Sequence, residues 1–171
     1  MPSNQIIDLK KRLQSNDNDD LFDVLVDIGK GGHQELKTDV HAFLTHEDPM
    51  LRATAIKVLA FYWGLEEYKD VAKEMFVNDP DDETRADALI WWSCFFKDTN
   101  NPEVLKMLYD QLKSQDNAFM IRETAYRAVF NVSKLNRTER PANILKIRDI
   151  DNEVDWDLVE KIMKDAEKEA I

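Results

Sequence analysis

Apolar residues in nearly every segment of this chain recur at the spacing of helices rather than alternating as in a strand, and short polar breaks separate the segments. Ile6, Ile7, Leu9 and Leu13 predict a short amphipathic helix over about 4–15. "NDNDD" (16–20) supplies a turn and an N-cap. Leu21, Phe22, Leu25, Val26 and Ile28 then form a second stripe, closed by Gly29, Gly31 and Gly32. A third helix is expected over about 34–45, with Leu36, Val40, Phe43 and Leu44. "THEDP" (45–49) ends it; Asp48 can cap the next helix and Pro49 suits its first turn. That helix runs to about 63 and stops at Gly64. Others are expected over about 66–77, 82–97, 102–114 and 118–134. Breaks at "NDPDD" (78–82) and "DTNNP" (98–102) separate some of them. After the looser "NRTERP" (136–141), the pattern gives a short helix at Ala142 to Ile147 and a longer one at Trp156 to Glu169.

One pattern occurs three times. "LRATAIKVLAFYW", "TRADALIWWSCFF" and "IRETAYRAVFNVS" each place Arg, two residues, then Ala at the head of an apolar run. With Arg52, Arg85 and Arg122 in register, at intervals of 33 and 37 residues, Ala55, Ala88 and Ala125 coincide. So do Val58, Trp91 and Ala128, then Leu59, Trp92 and Val129, then Tyr62, Phe95 and Val132. An acidic turn precedes each Arg, and another apolar helix precedes each turn. A two-helix unit recurring at this period is the mark of stacked helical hairpins. The small Ala lets helices approach closely and the large residues fill the space beside it.

At these residues the chain resembles HEAT repeats. "HEDPMLRATAIKVLA" (46–60) reads as that family's Asp, Pro, aliphatic residue, Arg, then Ala and Leu at helical spacing. "PDDETRADALIWW" has Thr84 at the aliphatic place, and "DNAFMIRETAYRAVF" has Ile121 there but no Pro. The resemblance covers about 34–134. It implies a single all-α domain: a short right-handed α-solenoid of HEAT-like hairpins, with terminal caps at 1–33 and 135–171. It further implies that turn Asp and helix Arg tie neighbouring hairpins together, a structural role falling on Asp48, Arg52, Arg85, Asp116 and Arg122.

Composition narrows the function. The 171 residues carry 23 Lys and Arg against 34 Asp and Glu, a net charge of −11. That opposes nucleic acid, whose phosphates call for Lys and Arg, and anionic membrane surfaces. It suits a basic protein partner, whose approach the field would speed. Cys94 is the one cysteine, so no intrachain disulfide forms. The opening "MPSNQIIDLKKRLQ" does not read as a signal peptide, and "ALIWW" is too short to span a bilayer. A reducing cytoplasm is the expected location.

No catalytic motif, metal set or cofactor loop emerges. His41 and His46 are five residues apart and do not share one side of a regular helix. Cys94 beside Trp91 and Phe95 reads as a small buried apolar residue. In "WWSCFF", Trp91, Trp92 and Phe95 fall on the inward face with Arg85 and Ala88 in register, which reads as core. The opposite face holds Ala53, Lys57 and Ala60, then Ala86, Ile90 and Ser93, then Glu123, Arg127 and Phe130. In HEAT-like repeats the second helix lines the concave side. The expected binding surface therefore centres on Ile90 and Phe130, bordered by Asp87 and Glu123 and completed by Arg127. The competing arrangement has the terminal helices folded over these residues. From Asp149 onward nine Asp or Glu face three Lys, while Val154, Leu158, Val159, Ile162 and Met163 form an apolar stripe. That reads as a capping helix with a solvated acidic face, the alternative being a dedicated contact for a basic partner.

The expected function is that of a monomeric, non-catalytic protein-binding module, needing no cofactor, whose partner is a basic protein. One concrete form is an inhibitor such as a bacterial immunity protein masking a basic toxin domain; a general assembly adaptor is its neighbour. The enzymatic alternative is a HEAT-like DNA glycosylase or phycobilin lyase. A glycosylase would use Trp91, Trp92 and Asp87 around an extruded base, but the charge opposes it.

Overall fold

The computed structural model describes residues 3–170, and among these every regular element is helical. The chain divides into two compact units, residues 1–91 and 92–171.

The first unit is built from three successive hairpins. Helix α1 (Asn4–Arg12) packs on α2 (Asn18–Gly31). Ser3 and Asp17 accept from backbone amides of their first turns, and Gly32 closes α2 in the left-handed region at φ 69°. The stretch expected as one helix over 34–45 is α3 (Lys37–His41) flanked by tight turns at Gln34–Leu36 and Ala42–Thr45. Helix α4 (Pro49–Ile56) follows and continues as a π-helical turn, Lys57–Tyr62, before Gly64 turns the chain at φ 59°. Helices α5 (Lys69–Asn78) and α6 (Asp82–Cys94) form the third hairpin, and most of α6 belongs to this unit. Val24, Leu25, Ile28, Leu36, Val40, Leu51, Ile56, Val58 and Leu59 are wholly buried. Burying a side chain of this kind contributes about 1.5–3 kcal/mol, so the apolar stripes carry the fold.

Small residues set the closest approaches. Ala55 and Ala88 here, and Ala125 in the second unit, have no exposed surface. Gly29, expected only to help stop α2, lies inside the helix. A Cβ there would stand 2.6 Å from Tyr62 Cδ2 and 2.8 Å from Val58 Cγ2, so its missing side chain is what lets α2 meet the π turn.

In the second unit α7 (Pro102–Lys113) and α8 (Phe119–Val132) form a closely packed hairpin. Asn101 caps α7 through Glu103 and Val104. The one-turn α9 (Ile150–Glu153) packs on α8, and α10 (Trp156–Glu169) packs on α7. Val159, Ile162 and Ala166 of α10 are buried, while Asp157, Glu160 and Glu167 stay exposed. The short helix expected at Ala142 to Ile147 is a pair of turns instead, Ile144 N–H to Pro141 O and Lys146 N–H to Asn143 O. Each closes over three residues, and no four-residue bond follows to propagate a helix.

Candidate functional site

The residues expected as anchors are core. Phe130 has no exposed surface and Ile90 is 8% exposed. Phe130 meets Tyr126, one turn earlier on α8, edge-on at 5.1 Å. Tyr126 is itself buried, and its hydroxyl accepts the Asp155 amide at 3.3 Å. Chain from beyond Asp149 therefore covers the face of α8 that the repeat register left open. Glu123 is paired with Arg127 one turn away at 3.6 Å, and its side chain is 16% exposed. Neither Ile90 nor Phe130 can meet a partner, and the carboxylate of Glu123 is offset by its neighbour.

Asp87 is placed differently. It lines a cleft of about 370 Å³ in the first unit, flanked by α2, α4 and α6. Phe22 and Val26 of α2 with Met50 and Ala53 of α4 give this cleft its apolar surface. Asp81, Glu83 and Asp87 supply carboxylates from the turn before α6 and from α6 itself. Met50 is 40% exposed, held at the start of α4 by the Asp48 cap. Lys57 stands at the beginning of the π turn, its ammonium 5.4 Å from the ring centre of Trp91 and 5.6 Å from that of Tyr62. Phe61, 46% exposed, meets Trp91 at a tilt, with ring centres 4.7 Å apart. The wider π turn brings Phe61 rather than Ala60 to the surface after Lys57; Ala60 is 3% exposed. Trp91 is only half-buried, whereas Trp92 is core at 3% exposed. The cleft and the Phe61–Trp91 pair were both missed by the repeat register. The legible signal was Phe22, Met50 and Phe61, large apolar residues in helices whose core positions were already filled.

The Arg and Asp residues of the repeat do different jobs. Arg52 gives two hydrogen bonds to Asp79 in the turn before α6, and its remaining nitrogen donates to the carbonyls of His46 and Glu47. The hydrogen bond it donates to Asp79, with that carboxylate's charge, raises the already high pKa of Arg52 despite burial. Burial alone would push the Asp79 carboxyl up, yet the Arg52 guanidinium and the Asp81 amide hold it below the usual carboxylate range. Asp48 accepts from the Met50 amide at 2.8 Å and from Asn18 Nδ2 at 2.7 Å, joining the starts of α2 and α4. Arg85 stays local, donating to Phe76 O and Asp82. Arg122 donates to Leu112 O and to Asp151, and not to Asp116, which is an exposed turn residue. Thr84, in the aliphatic place of the repeat, is 1% exposed; its hydroxyl lies 2.9 Å from Asp81 Oδ1 and 3.1 Å from Pro49 O.

Cys94, His41 and His46 have these surroundings. Burial pushes the Cys94 thiol up, more than nearby Lys97 draws it down, which disfavours a thiolate. His46 Nδ1 accepts the Asp48 amide and His41 Nδ1 meets the Tyr68 hydroxyl, both structural contacts. Among the described residues no group of three or more His, Cys, Asp or Glu could hold a metal ion, and no helix is long and apolar enough to cross a membrane.

The family profile "HEAT repeats" matches residues 6–91, just over half of the 171 residues. Neither a curated protein nor a solved structure matches the chain. The match begins earlier than the quoted motifs, taking in α1 and α2 as a hairpin, and ends where the first unit ends. With its stacked helical hairpins and its repeated Arg at the head of each second helix, the chain belongs to the HEAT repeat family and is an all-α solenoid protein.

Proposed function

We propose that this protein is a non-catalytic binding module whose docking surface is the cleft between α2, α4 and α6, and whose partner is a basic protein. HEAT repeats are generally protein-interaction modules. The observation that carries the reading is the composition of the cleft: Phe22, Val26 and Met50 beside Asp81, Glu83 and Asp87. An apolar surface next to carboxylates fits a long basic side chain, whose aliphatic stem packs while its charge meets the acids. The net charge of −11 attracts such a partner from a distance. An inhibitor that masks a basic surface, in the manner of an immunity protein in the cytoplasm, is the concrete form this takes, with the protein acting as a monomer.

The test uses the partner that co-purifies with the tagged protein from its source cells. Met50→Lys and Glu83→Lys each place a cation in the cleft at an exposed position. Both variants should melt like the parent and bind the partner at least tenfold more weakly, about 1.4 kcal/mol. Unchanged affinity in both, or a partner that is acidic, would overturn the reading. Several unrelated partners lost together would make the protein an adaptor instead of a dedicated inhibitor.

A further inference from the structure

The second unit holds a feature at odds with the charge of the whole chain. A cavity of about 560 Å³ is lined by Lys97, Lys134, Arg137 and Arg140 against one carboxylate, Asp98. The chain as a whole carries 34 acids to 23 bases, so this lining reverses the prevailing sign. Asn131 and Asn136 add amide groups to it.

The ordinary explanation for cations beside a helix C-terminus is that they satisfy its last carbonyls. Here neutral groups do that. Val129 O takes the Ser133 amide at 2.9 Å, and Phe130 O takes the Ser133 hydroxyl at 3.3 Å. Asn131 O takes the Asp98 amide at 2.9 Å, and Val132 O takes the Asn100 amide at 2.8 Å. Asp98 and Asn100 reach those carbonyls with φ of 56° each, a left-handed conformation that is unfavourable for a non-glycine residue. The end of α8 is thus closed by a strained loop, and the cations are left with unfilled capacity.

Arg140 shows this most clearly. Its side chain is 22% exposed, its Nη2 is 3.9 Å from Asp98 and 3.4 Å from Leu135 O, and its Nε is buried with no hydrogen-bond partner. A buried guanidinium N–H left without an acceptor costs more than an ordinary lost hydrogen bond, because its desolvation is not repaid. Lys97 and Arg137 are exposed, and neither pairs with a carboxylate among the described residues. Lys134 is engaged with Glu169 at 2.6 Å, and Glu139 is occupied by the amide and side chain of Asn136.

We propose that this cavity is a binding site for a phosphate group, held by Arg140 and Arg137 with Lys97 beside them. A phosphate dianion offers three acceptor oxygens, suits the planar fork of Arg, and balances more charge than a carboxylate can. The negative field of the whole protein opposes approach only at long range, since it is screened beyond about 8 Å at physiological salt. A lone phosphate would not fill the cavity. The group comes either on a small phosphoester or on a phosphorylated side chain.

The experiment titrates the intact protein with inorganic phosphate, with O-phosphoserine and with a phosphoserine tetrapeptide, read by the NMR signals of backbone amides and of the Arg140 Nε–H. Saturable shifts at Asn131, Arg137 and Arg140 are expected. Lys97→Gln with Arg137→Gln, both at exposed positions, should weaken each ligand about tenfold without moving the melt. Arg140→Lys keeps the charge and should still lose affinity, because it lacks the fork. A peptide at least tenfold tighter than phosphoserine identifies the side-chain source, and equal affinities identify the small phosphoester. Non-saturating shifts that sulfate and chloride reproduce, an adventitious ion only, would overturn the site, as would unchanged affinity in the double variant.

Discussion

Arg52 and Asp79, 27 residues apart, meet in a two-pronged ion pair, Nε to Oδ2 at 2.9 Å and Nη2 to Oδ1 at 2.7 Å. Their side chains are 11% and 5% exposed. The same arginine holds the turn before its own helix through the His46 and Glu47 carbonyls, and the same aspartate accepts the Asp81 amide. Two successive inter-helix turns of the first unit are thereby locked by one side chain. This gives the repeated Arg of the sequence a physical reason at this position.

Removing one partner leaves a buried charge unmatched, which costs more than the pair itself contributes. Arg52→Ala should lower stability by about 3 kcal/mol in urea unfolding. Arg52→Met with Asp79→Leu should recover much of that loss, since no charge remains to desolvate. A single-variant loss within about 0.5 kcal/mol of zero would show the pair to be solvated in solution.

The pair also fixes a pH dependence. Asp79 titrates lower in the folded protein than its ordinary value of about 4. The unfolded chain therefore binds the proton more readily. The pair's contribution is complete above that ordinary value and is lost as pH falls through the lower folded value. Melting points measured from about pH 6 down to pH 2 should fall less steeply for Asp79→Asn, which starts lower and has no proton to gain there. Parallel curves for the two proteins would contradict this account.

Gly29 makes a steric prediction. Alanine favours a helix over glycine by about 1 kcal/mol, so Gly29→Ala would stabilise α2 if space allowed. The new methyl would stand 2.6 Å from Tyr62 and 2.8 Å from Val58, and overpacking of this kind costs about 1–3 kcal/mol. The variant should melt lower, and adding Tyr62→Leu should restore part of the loss. A higher melting point for Gly29→Ala alone would mean that the π turn moves aside freely.

Helical period and the repeated Arg made the hairpins legible, because each residue's face follows from its place in a turn. What the period leaves open is how many faces of a helix its neighbours cover. On α8 nearly the whole circumference is buried, from Ile121 and Ala125 on one side to Tyr126 and Phe130 on the other. The covering chain, whose Asp155 amide meets Tyr126, comes from far along the sequence and carries no motif that marks its docking place. Trp91 departs from the register for a different reason. It shares its place with Val58 and Ala128, both fully buried, but an indole is too large for that space and turns to meet Phe61 at the surface. Arg85 and Arg122 share the sequence position of Arg52 yet find other partners, since a register fixes where a side chain starts and not what stands across from it.

Phe61 and Phe130 put the corrected faces to a direct test. Phe130 lies in the core with no exposed surface, while Phe61 is 46% exposed on the π turn. Phe130→Ala should cost about 3–5 kcal/mol, the transfer free energy of the ring plus the cavity it leaves. Phe61→Ala keeps most of its surroundings and loses chiefly the contact with Trp91, so about 1 kcal/mol is expected. In binding the order reverses: Phe61 packs on Trp91, whose ring lies under the ammonium of the cleft residue Lys57, and its loss should weaken a docked partner, whereas Phe130 acts only through folding. Urea unfolding of both variants, with partner affinity measured where each is fully folded, separates the two effects. A Phe130→Ala protein that melts like the parent would return Phe130 to the surface, and with it the original assignment of faces on α8.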